Sequence, residues 1–568
     1  MAAGLTLALG FGANLATFTL ANAALLRPLP YPAPDRLVVA WSSKPAESKP
    51  EEKVSAADFL DWRRDSRSFE SVAAWTTWGT ALTGRAEPLE VATVRASAGL
   101  LAVLGVSPAL GRGFLPEEET PGRHQVAILS HNAWTDLFGA DPAVLDRTIV
   151  LDGLPHRVIG VMPAGFRFPD AGTIAAWTPL AFDASELVTR AERRFNVLGR
   201  LRPGQGLATA QEELATIAAR LAGEHPETNA GWGVTLRPAA EVAAAGSRRS
   251  LAILLGAAGL VLLLACANVA HLCLIRGLDR ERELAVRTAL GAPRGSLVRL
   301  LVMESALVTL LGGAAGLAIA AWLVPVARRF DPGLIPGWRT PEMDGPVVLV
   351  AAAALVLVTL GCGLVPALRA VRAPRRGMAA PRGGGGALIA GEVALAVVLL
   401  VGAGLLLRSL DRLLRVDPGF DAERVVAATV FLSGAQYDDD DRQRAFFEEL
   451  VGRLRALPGV TAAGAVTTLP MNPVGIDYDL PFAADGRTPA RAADQPQVDY
   501  RVVEGDYFRA VGVPMLRGRG FDGSDRAGSR RVAVVNQTLA DRFFPGADPL
   551  GRVVWVGGGI GRAVVIGV

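Results

Sequence analysis

Lysine is almost missing from this chain of 568 residues. Its lysines, Lys44, Lys49 and Lys53, share one Pro/Glu/Ser-rich stretch. A phosphate-binding P-loop needs a lysine directly after a glycine-rich turn. No such site exists here, so the chain is not expected to hydrolyse ATP itself. Cysteine is as scarce: Cys266, Cys273 and Cys362 all lie in apolar runs. They cannot staple a soluble domain, and no metal-ligand spacing is present. The histidines His124, His131, His156, His225 and His271 form no spaced pair, and no nucleophile motif accompanies them. A formal net charge of +3 is close to zero for this length, so no nucleic-acid partner is implied. The acidic run Asp438–Asp441 lacks the alternation and glycine of a calcium loop and reads as a solvated helix start. No catalytic, cofactor or metal site is expected in this chain.

What the chain does have is long apolar runs. Hydrophobic residues make up 51% of it, too unevenly spread for one soluble core. Five runs approach the length that crosses a hydrocarbon core of roughly 30 Å. They predict spans at 1–26, 250–275, 300–326, 346–368 and 387–409. The first run has no preceding Lys or Arg, so it lacks the charged start of a secretory signal and reads as a retained anchor, although Ala21-Asn-Ala23 resembles a cleavage site. The absent basic start also suggests a longer natural N-terminus.

Arginine then orients the spans. The segments 276–299 and 369–386 are arginine-rich and read as cytoplasmic. The N-terminus is then inside, and 27–249, the short loop 327–345 and 410–568 are outside. Arg328, Arg329 and Arg339 sit against this pattern, but both inside segments hold more arginines.

The segment 27–249 reads as a mixed α/β domain. Ser55–Arg67 patterns as a surface helix, Leu89–Ala96, Val126–Leu129 and Arg157–Val161 as strands, and Leu207–Leu221 as an amphipathic helix. An internal repeat links it to 410–568. Val106-Ser-Pro-Ala-Leu-Gly-Arg-Gly-Phe114 recurs as Val513-Pro-Met-Leu-Arg-Gly-Arg-Gly-Phe521. Val126–Leu129 recurs as Val532–Val535, Leu137–Pro142 as Phe544–Pro549, and Arg157–Val161 within Arg562–Val568. The second copy stops where the first reaches Val161, so it reads as incomplete, and more of that domain and three further spans are expected beyond Val568.

The charged segment after the second span carries Asp279, Glu281 and Glu283 early and Arg287 late, the order that suits a helix macrodipole. Glu283 and Arg287 are spaced i,i+4, Gly291 can end the helix, and Pro293 fits the first turn of the next. A short cytosolic helix and a solvated headgroup anchor fit these residues equally. Gly312-Gly-Ala-Ala-Gly316 has the small-residue spacing of helix packing, and Glu304 and Glu392 lie near span ends, where interfacial capping is expected.

Here the chain resembles a family. Arg280-Glu-Arg-Glu-Leu-Ala-Val-Arg-Thr-Ala-Leu-Gly-Ala-Pro-Arg294, followed by Glu304-Ser305, is similar to the signature of FtsX/MacB-type ABC-transporter permeases. Ala8-Leu-Gly-Phe-Gly-Ala-Asn14 with Leu25–Pro32 resembles their first span, and Gly391–Ser409 resembles the span opening the second half of their tandemly duplicated members. The resemblance implies an α-helical transmembrane bundle, with five spans present, bearing two mixed α/β MacB-like periplasmic core domains, the second incomplete. It implies an inner-membrane permease for a lipid, lipoprotein, peptide or drug-like substrate. ATP and Mg would be bound by a separate cytosolic ATPase subunit. Membrane lipid and a periplasmic adaptor are further expected partners. A coupling helix docking on the ATPase would use Arg280, Glu281, Arg282, Glu283, Leu284, Arg287, Leu290 and Gly291. An envelope signalling protein without net transport is the alternative from a different class.

Overall fold

The computed structural model describes residues 2–47, 49–84, 88–166, 168, 174–188, 190–279, 287, 293–330, 341, 343–360, 384–421, 424–430, 432, 437, 439–471, 478–484, 495–526 and 528–568. The chain divides into two compact units. One comprises Met1–Leu37, Gly165–Thr173 and Arg237–Arg415, and the other Val38–Ala164, Ile174–Leu236 and Val416–Val568.

The first unit is built from apolar helices. The first apolar helix (Ala2–Ala21) ends in a π-helical turn, Asn22–Leu26. The second (Ala239–Asp279), third (Arg294–Phe330), fourth (Gly345–Thr359) and fifth (Gly384–Leu414) follow. Within them, Gly4–Leu26, Arg248–Val269, Val302–Ala327 and Ile389–Leu414 are long and apolar enough to cross a membrane. The fourth is described over Gly345–Thr359 only; residues 361–368 of the expected span lie outside the described residues.

Several helix bounds differ from those the hydropathy predicts; the third helix, for one, runs Arg294–Phe330 rather than 300–326. The second helix starts at Ala239, not near 250, because the alanine-rich Ala239–Gly246 stretch has high helix propensity and needs no lipid to stay helical. The fifth continues past 409 to Leu414, carrying Arg408, Asp411 and Arg412. Phe11, Leu15, Ala16, Leu20 and Ala24 of the first helix and its π-turn are buried. They pack with Leu251 of the second, Ala320 and Val324 of the third, and Val347 and Ala351 of the fourth. The first helix is therefore the hub of this bundle.

In the other unit, the first α/β domain holds β1 (Leu37–Lys44), β2 (Lys49–Glu52), β3 (Phe69–Thr83), β4 (Leu89–Ala96), β5 (Leu110–Gly111), β6 (Val126–Leu129), β7 (Thr148–Leu151), β8 (Leu154–Val161), β9 (Ile174–Pro179), β10 (Asn196–Leu201) and β11 (Gly233–Pro238). They form one mixed sheet in the order β11-β1-β10-β3-β4-β9-β6-β8-β5, with β2 on β1 and β7 bridging β3 and β8. The helices Ala56–Asp65 and Leu207–Glu224 cover one end. Phe59, Trp62, Leu214, Ile217 and Leu221 pack there on Val38, Phe69, Val72, Val197 and Leu236. Ser55 caps the first of these helices by accepting from Asp58 N–H at 3.2 Å. The charges of this helix do not all face water, as a surface helix would have them: Asp58 and Asp61 are buried.

The second α/β segment has β12 (Gly464–Val466), β13 (Tyr478–Ala483), β14 (Gln497–Tyr500), β15 (Val503–Gly505), β16 (Val532–Val534), β17 (Val553–Val556) and β18 (Gly561–Gly567). Five of them pair in the order β14-β13-β17-β18-β16, and β12 pairs with β15. The helix Asp440–Arg455 begins in the acidic run, with Asp439 accepting from Asp441 N–H at 3.2 Å.

The two segments share local geometry down to a strand irregularity. β6 and β8 are parallel, with Ala127 opposite Val158 and Ile128 opposite Gly160, so the register slips by one between them. β16 and β18 are parallel, with Ala533 opposite Val565 and Val534 opposite Gly567, the same slip at the same place. Gly111 and Gly518 both take positive φ, 74° and 76°, at the matching close backbone approach. Arg112 pairs with Glu118 at 2.6 Å, and Arg519 with Asp525 at 2.5 Å. Arg112 also donates to Gly113 O and Arg519 to Gly520 O, each at 2.9 Å.

Candidate functional site

Three places in the structure bring together residues with a possible working role. The first is the seam of the helix bundle. Small residues recur every fourth position on the first helix (Gly4, Ala8, Gly12, Ala16) and on the third (Gly312, Gly316, Ala320). One face of each helix therefore lacks bulk, which lets the backbones approach. A Cβ placed on Gly312 would lie 3.0 Å from Leu7 Cδ2 and 3.2 Å from Gly4 O. One on Gly316 would lie 3.0 Å from Ala8 O and 3.1 Å from Gly12 N, and one on Gly12 would lie 2.9 Å from Gly316 O. On its other side the first helix meets the second, where a Cβ on Gly10 would come 2.9 Å from Ala265 Cβ. The glycines of the first helix were not singled out from sequence, although the four-residue spacing Gly4-Ala8-Gly12-Ala16 was there to read.

Polar ties cross the same seam. Asn14 Nδ2 donates to Ala258 O of the second helix. Asn22 Nδ2, in the π-turn, donates to Asp344 Oδ1 at 3.3 Å, and Arg27 lies 4.0 Å from the same carboxylate. Asp344 in turn caps the fourth helix, accepting from Val347 N–H at 3.3 Å. The exit of the first helix is thus tied to the start of the fourth.

The second place is the charged segment between the second and third helices. Arg280, Glu281, Arg282, Glu283, Leu284, Leu290 and Gly291 lie outside the described residues. Arg287 is described, helical and exposed. The third helix starts at Arg294, and Pro293 O accepts from Ser296 N–H at 3.0 Å, which places Pro293 just ahead of the first turn.

The third place was not visible in sequence. In the first α/β domain, Arg190 spans Asp58 and Asp61, with both contacts at 2.7 Å. Asn229 Nδ2 donates to Asp58 Oδ1 at 2.9 Å, and Arg64 reaches Asp61 at 2.7 Å. Arg193 lies 3.9 Å from Asp58 and stacks its guanidinium 3.6 Å from the Trp232 ring centre. Burial pulls the Arg190 pKa down, but its bonds to Asp61 and Asp58 outweigh this and leave it raised. Burial dominates at Arg193 and lowers it to about 10, against the pull of Asp58 and Glu52. Asp58, Asp61 and Arg64 come from one helix, while Arg190 and Arg193 come from a distant loop and Asn229 from the short helix Pro226–Asn229, so no sequence spacing announces the whole cluster. It ties the 190–193 loop and the segment before β11 to the helix Ala56–Asp65.

Comparison with known families fits this architecture. The MacB-like periplasmic core domain matches residues 2–217 and 387–568, together well over half of the chain, and the FtsX-like permease C-terminal domain matches residues 255–375. The chain belongs to this class: it is an FtsX/MacB-type permease, a membrane protein with mixed α/β periplasmic domains. It is similar to the macrolide export ATP-binding/permease protein MacB of Burkholderia thailandensis, 27% identical over 272 residues, which are 48% of this chain and 40% of that protein. The MacB of Escherichia coli K12 is 24% identical over 273 residues, 48% of this chain and 40% of that protein. The chain thus spans about 40% of the length of these curated relatives. Among solved structures, the periplasmic region of MacB from Actinobacillus actinomycetemcomitans aligns with 38% of this chain and 92% of its own, at 14% identity and a TM-score of 0.28.

Proposed function

We propose that this chain is the permease subunit of an ABC transporter and acts as a mechanical transmitter. A separate cytosolic ATPase would bind and hydrolyse ATP with Mg. The motion would pass through the membrane helices to the periplasmic domains and move a lipid, lipoprotein, peptide or drug-like substrate. The observation that carries this reading is the match of the FtsX-like permease domain to residues 255–375, which include the charged segment and the third helix that follows it. The second helix supports it: it runs unbroken for 41 residues from Ala239, the residue after β11, to Asp279. At 1.5 Å per residue that is about 60 Å, roughly twice the hydrocarbon core. A continuous helix of this length would carry a push on its cytosolic end along the chain toward β11.

In this reading the N-terminus, 276–299 and 369–386 face the cytosol. The residues Arg280 to Leu290 would form the coupling helix, and Gly291 would end it. Its alternating acid and base suits docking on a charged partner surface rather than insertion into lipid. In this reading ATP hydrolysis falls to a separate ATPase, since these 568 residues offer no lysine for a P-loop.

The test is co-purification of the intact protein from membranes with identification of the bound ATPase. Glu283→Arg, which reverses a charge on the docking face, and Gly291→Val, which disfavours the left-handed turn, should each lower ATPase recovery with membrane insertion unchanged. Recovery of the ATPase at the wild-type level with both variants would sink the coupling assignment. A sensor kinase or cell-wall hydrolase in place of a transport ATPase would favour the signalling alternative.

A further inference from the structure

Two ionisable groups within the apolar helices have a buried atom with no hydrogen-bond partner among the described residues. They are Nδ1 of His271 on the second helix and Oε1 of Glu392 on the fifth. An isolated ionisable group in a membrane interior is costly and needs a partner. Capping at the lipid interface, the reading that position alone gives Glu392, would leave its oxygens in water rather than shut off from it.

The helix faces indicate what covers each group. The fifth helix packs against the second. On the fifth helix, Glu392, Leu395, Ala396 and Leu399 are half-buried, while Val393, Ala394, Val397, Val398 and Leu400 are exposed. That i, i+3, i+4, i+7 stripe is the face turned to the second helix, and Glu392 heads it. On the second helix, Ala258, Ala265 and Val269 are buried toward the first helix, as the Asn14–Ala258 bond and the Gly10–Ala265 approach show. At about 100° per residue, His271 lies about 200° round from Val269, on the opposite side. The first helix therefore does not cover His271, and the fifth is free to.

Depth agrees as well. The two helices are antiparallel in the proposed topology. His271 lies about one and a half turns before Arg276, and Glu392 a similar distance after the glycines that close the arginine-rich linker. Among the described side chains, the other charges of these two helices, Glu241, Arg248, Arg249, Arg408, Asp411 and Arg412, lie toward their opposite ends. The first and fourth helices carry none within Ala2–Ala21 and Gly345–Thr359. Arg299 and Glu304 are on the third, which packs against the first and fourth.

We propose that His271 and Glu392 face each other across this interface, so that a buried hydrogen bond between the imidazole and the carboxyl group docks the fifth helix on the second.

Disulfide cross-linking in membranes tests this with the full chain. Cys266, Cys273 and Cys362 are first replaced by serine. Ala267→Cys and Ala396→Cys are then introduced one turn from the pair, on the same two faces. The parent should cross-link on oxidation. His271→Ala or Glu392→Leu should lower the yield about threefold to tenfold, the range of an interhelical hydrogen bond. Glu392→Gln, which can still donate to the imidazole, should keep most of it. The exchange His271→Glu with Glu392→His should restore it. Absence of cross-linking in the parent, equal yields in all variants, or failure of both the glutamine variant and the exchange to retain it would each overturn the pair.

Discussion

The seam between the first and third helices invites one perturbation above others, Gly316→Ala. The added methyl would sit 3.0 Å from Ala8 O, 3.0 Å from Phe11 Cδ1 and 3.1 Å from Gly12 N. Two of those neighbours are backbone atoms, which cannot rotate away as a side-chain end can. The helices must part by a few tenths of an ångström, and overpacking of this kind costs about 1–3 kcal/mol. Alanine returns up to about 1 kcal/mol through its higher helix propensity. The net expectation is a loss of about 1 kcal/mol, reaching about 2 kcal/mol if the helices resist. Gly402→Ala on the fifth helix is the control, because nothing lies within 4 Å of its new methyl. Only the propensity gain then applies, so this variant should be neutral or stabilised by up to about 1 kcal/mol. Unfolding of the purified protein by titration with a denaturing detergent measures both. Opposite shifts of the two midpoints support the tight seam. Equal shifts, or a Gly316→Ala more stable than wild type, would refute the argument that backbone approach sets the cost.

Other outcomes follow from the periplasmic side. Arg190→Ala leaves Asp58 and Asp61 buried without their bridging cation, and removing one partner of such a cluster costs about 3–5 kcal/mol; thermal unfolding followed by tryptophan fluorescence should show a large drop, and an unchanged midpoint would deny the clamp. Glu118 is pushed up by burial, but the bonds from Arg112 and Leu115 N–H outweigh this and hold its pKa below the ordinary value. A carboxylate lowered in the folded state adds stability that is present above the unfolded value of about 4.3 and is lost as the pH falls through the folded value. Glu118→Gln should therefore flatten the decline of the unfolding midpoint between about pH 5 and pH 3, and an unaltered decline would count against the pair.

Much of the architecture was legible in the chain itself, because the signals are compositional and local. A membrane helix must satisfy its own backbone and present apolar side chains over a fixed length, so it is written as an uninterrupted run. Val126–Leu129 and Leu89–Ala96 are short β-branched or alternating runs and appear as strands at those bounds. Helix ends were less legible: the second helix outruns its apolar stretch because alanine is helical in water as well as in lipid. The paired motifs were legible. That both segments carry the same one-residue slip, at Ala127/Ile128 and Ala533/Val534, was not, since register depends on the partner strand.

The candidate sites divide along the same line. Sequence alone determined the apolar runs, the arginine-rich segments, the missing P-loop lysine and the family resemblance, because each rests on residue types at fixed spacing. Tertiary structure alone decided which glycine faces which helix, that Asp58 and Asp61 are buried beneath Arg190, and that Asp344 meets Asn22 across 322 residues of chain. Those outcomes depend on how whole elements pack, and a buried charge looks no different in sequence from a solvated one until its counter-ion arrives from elsewhere in the fold.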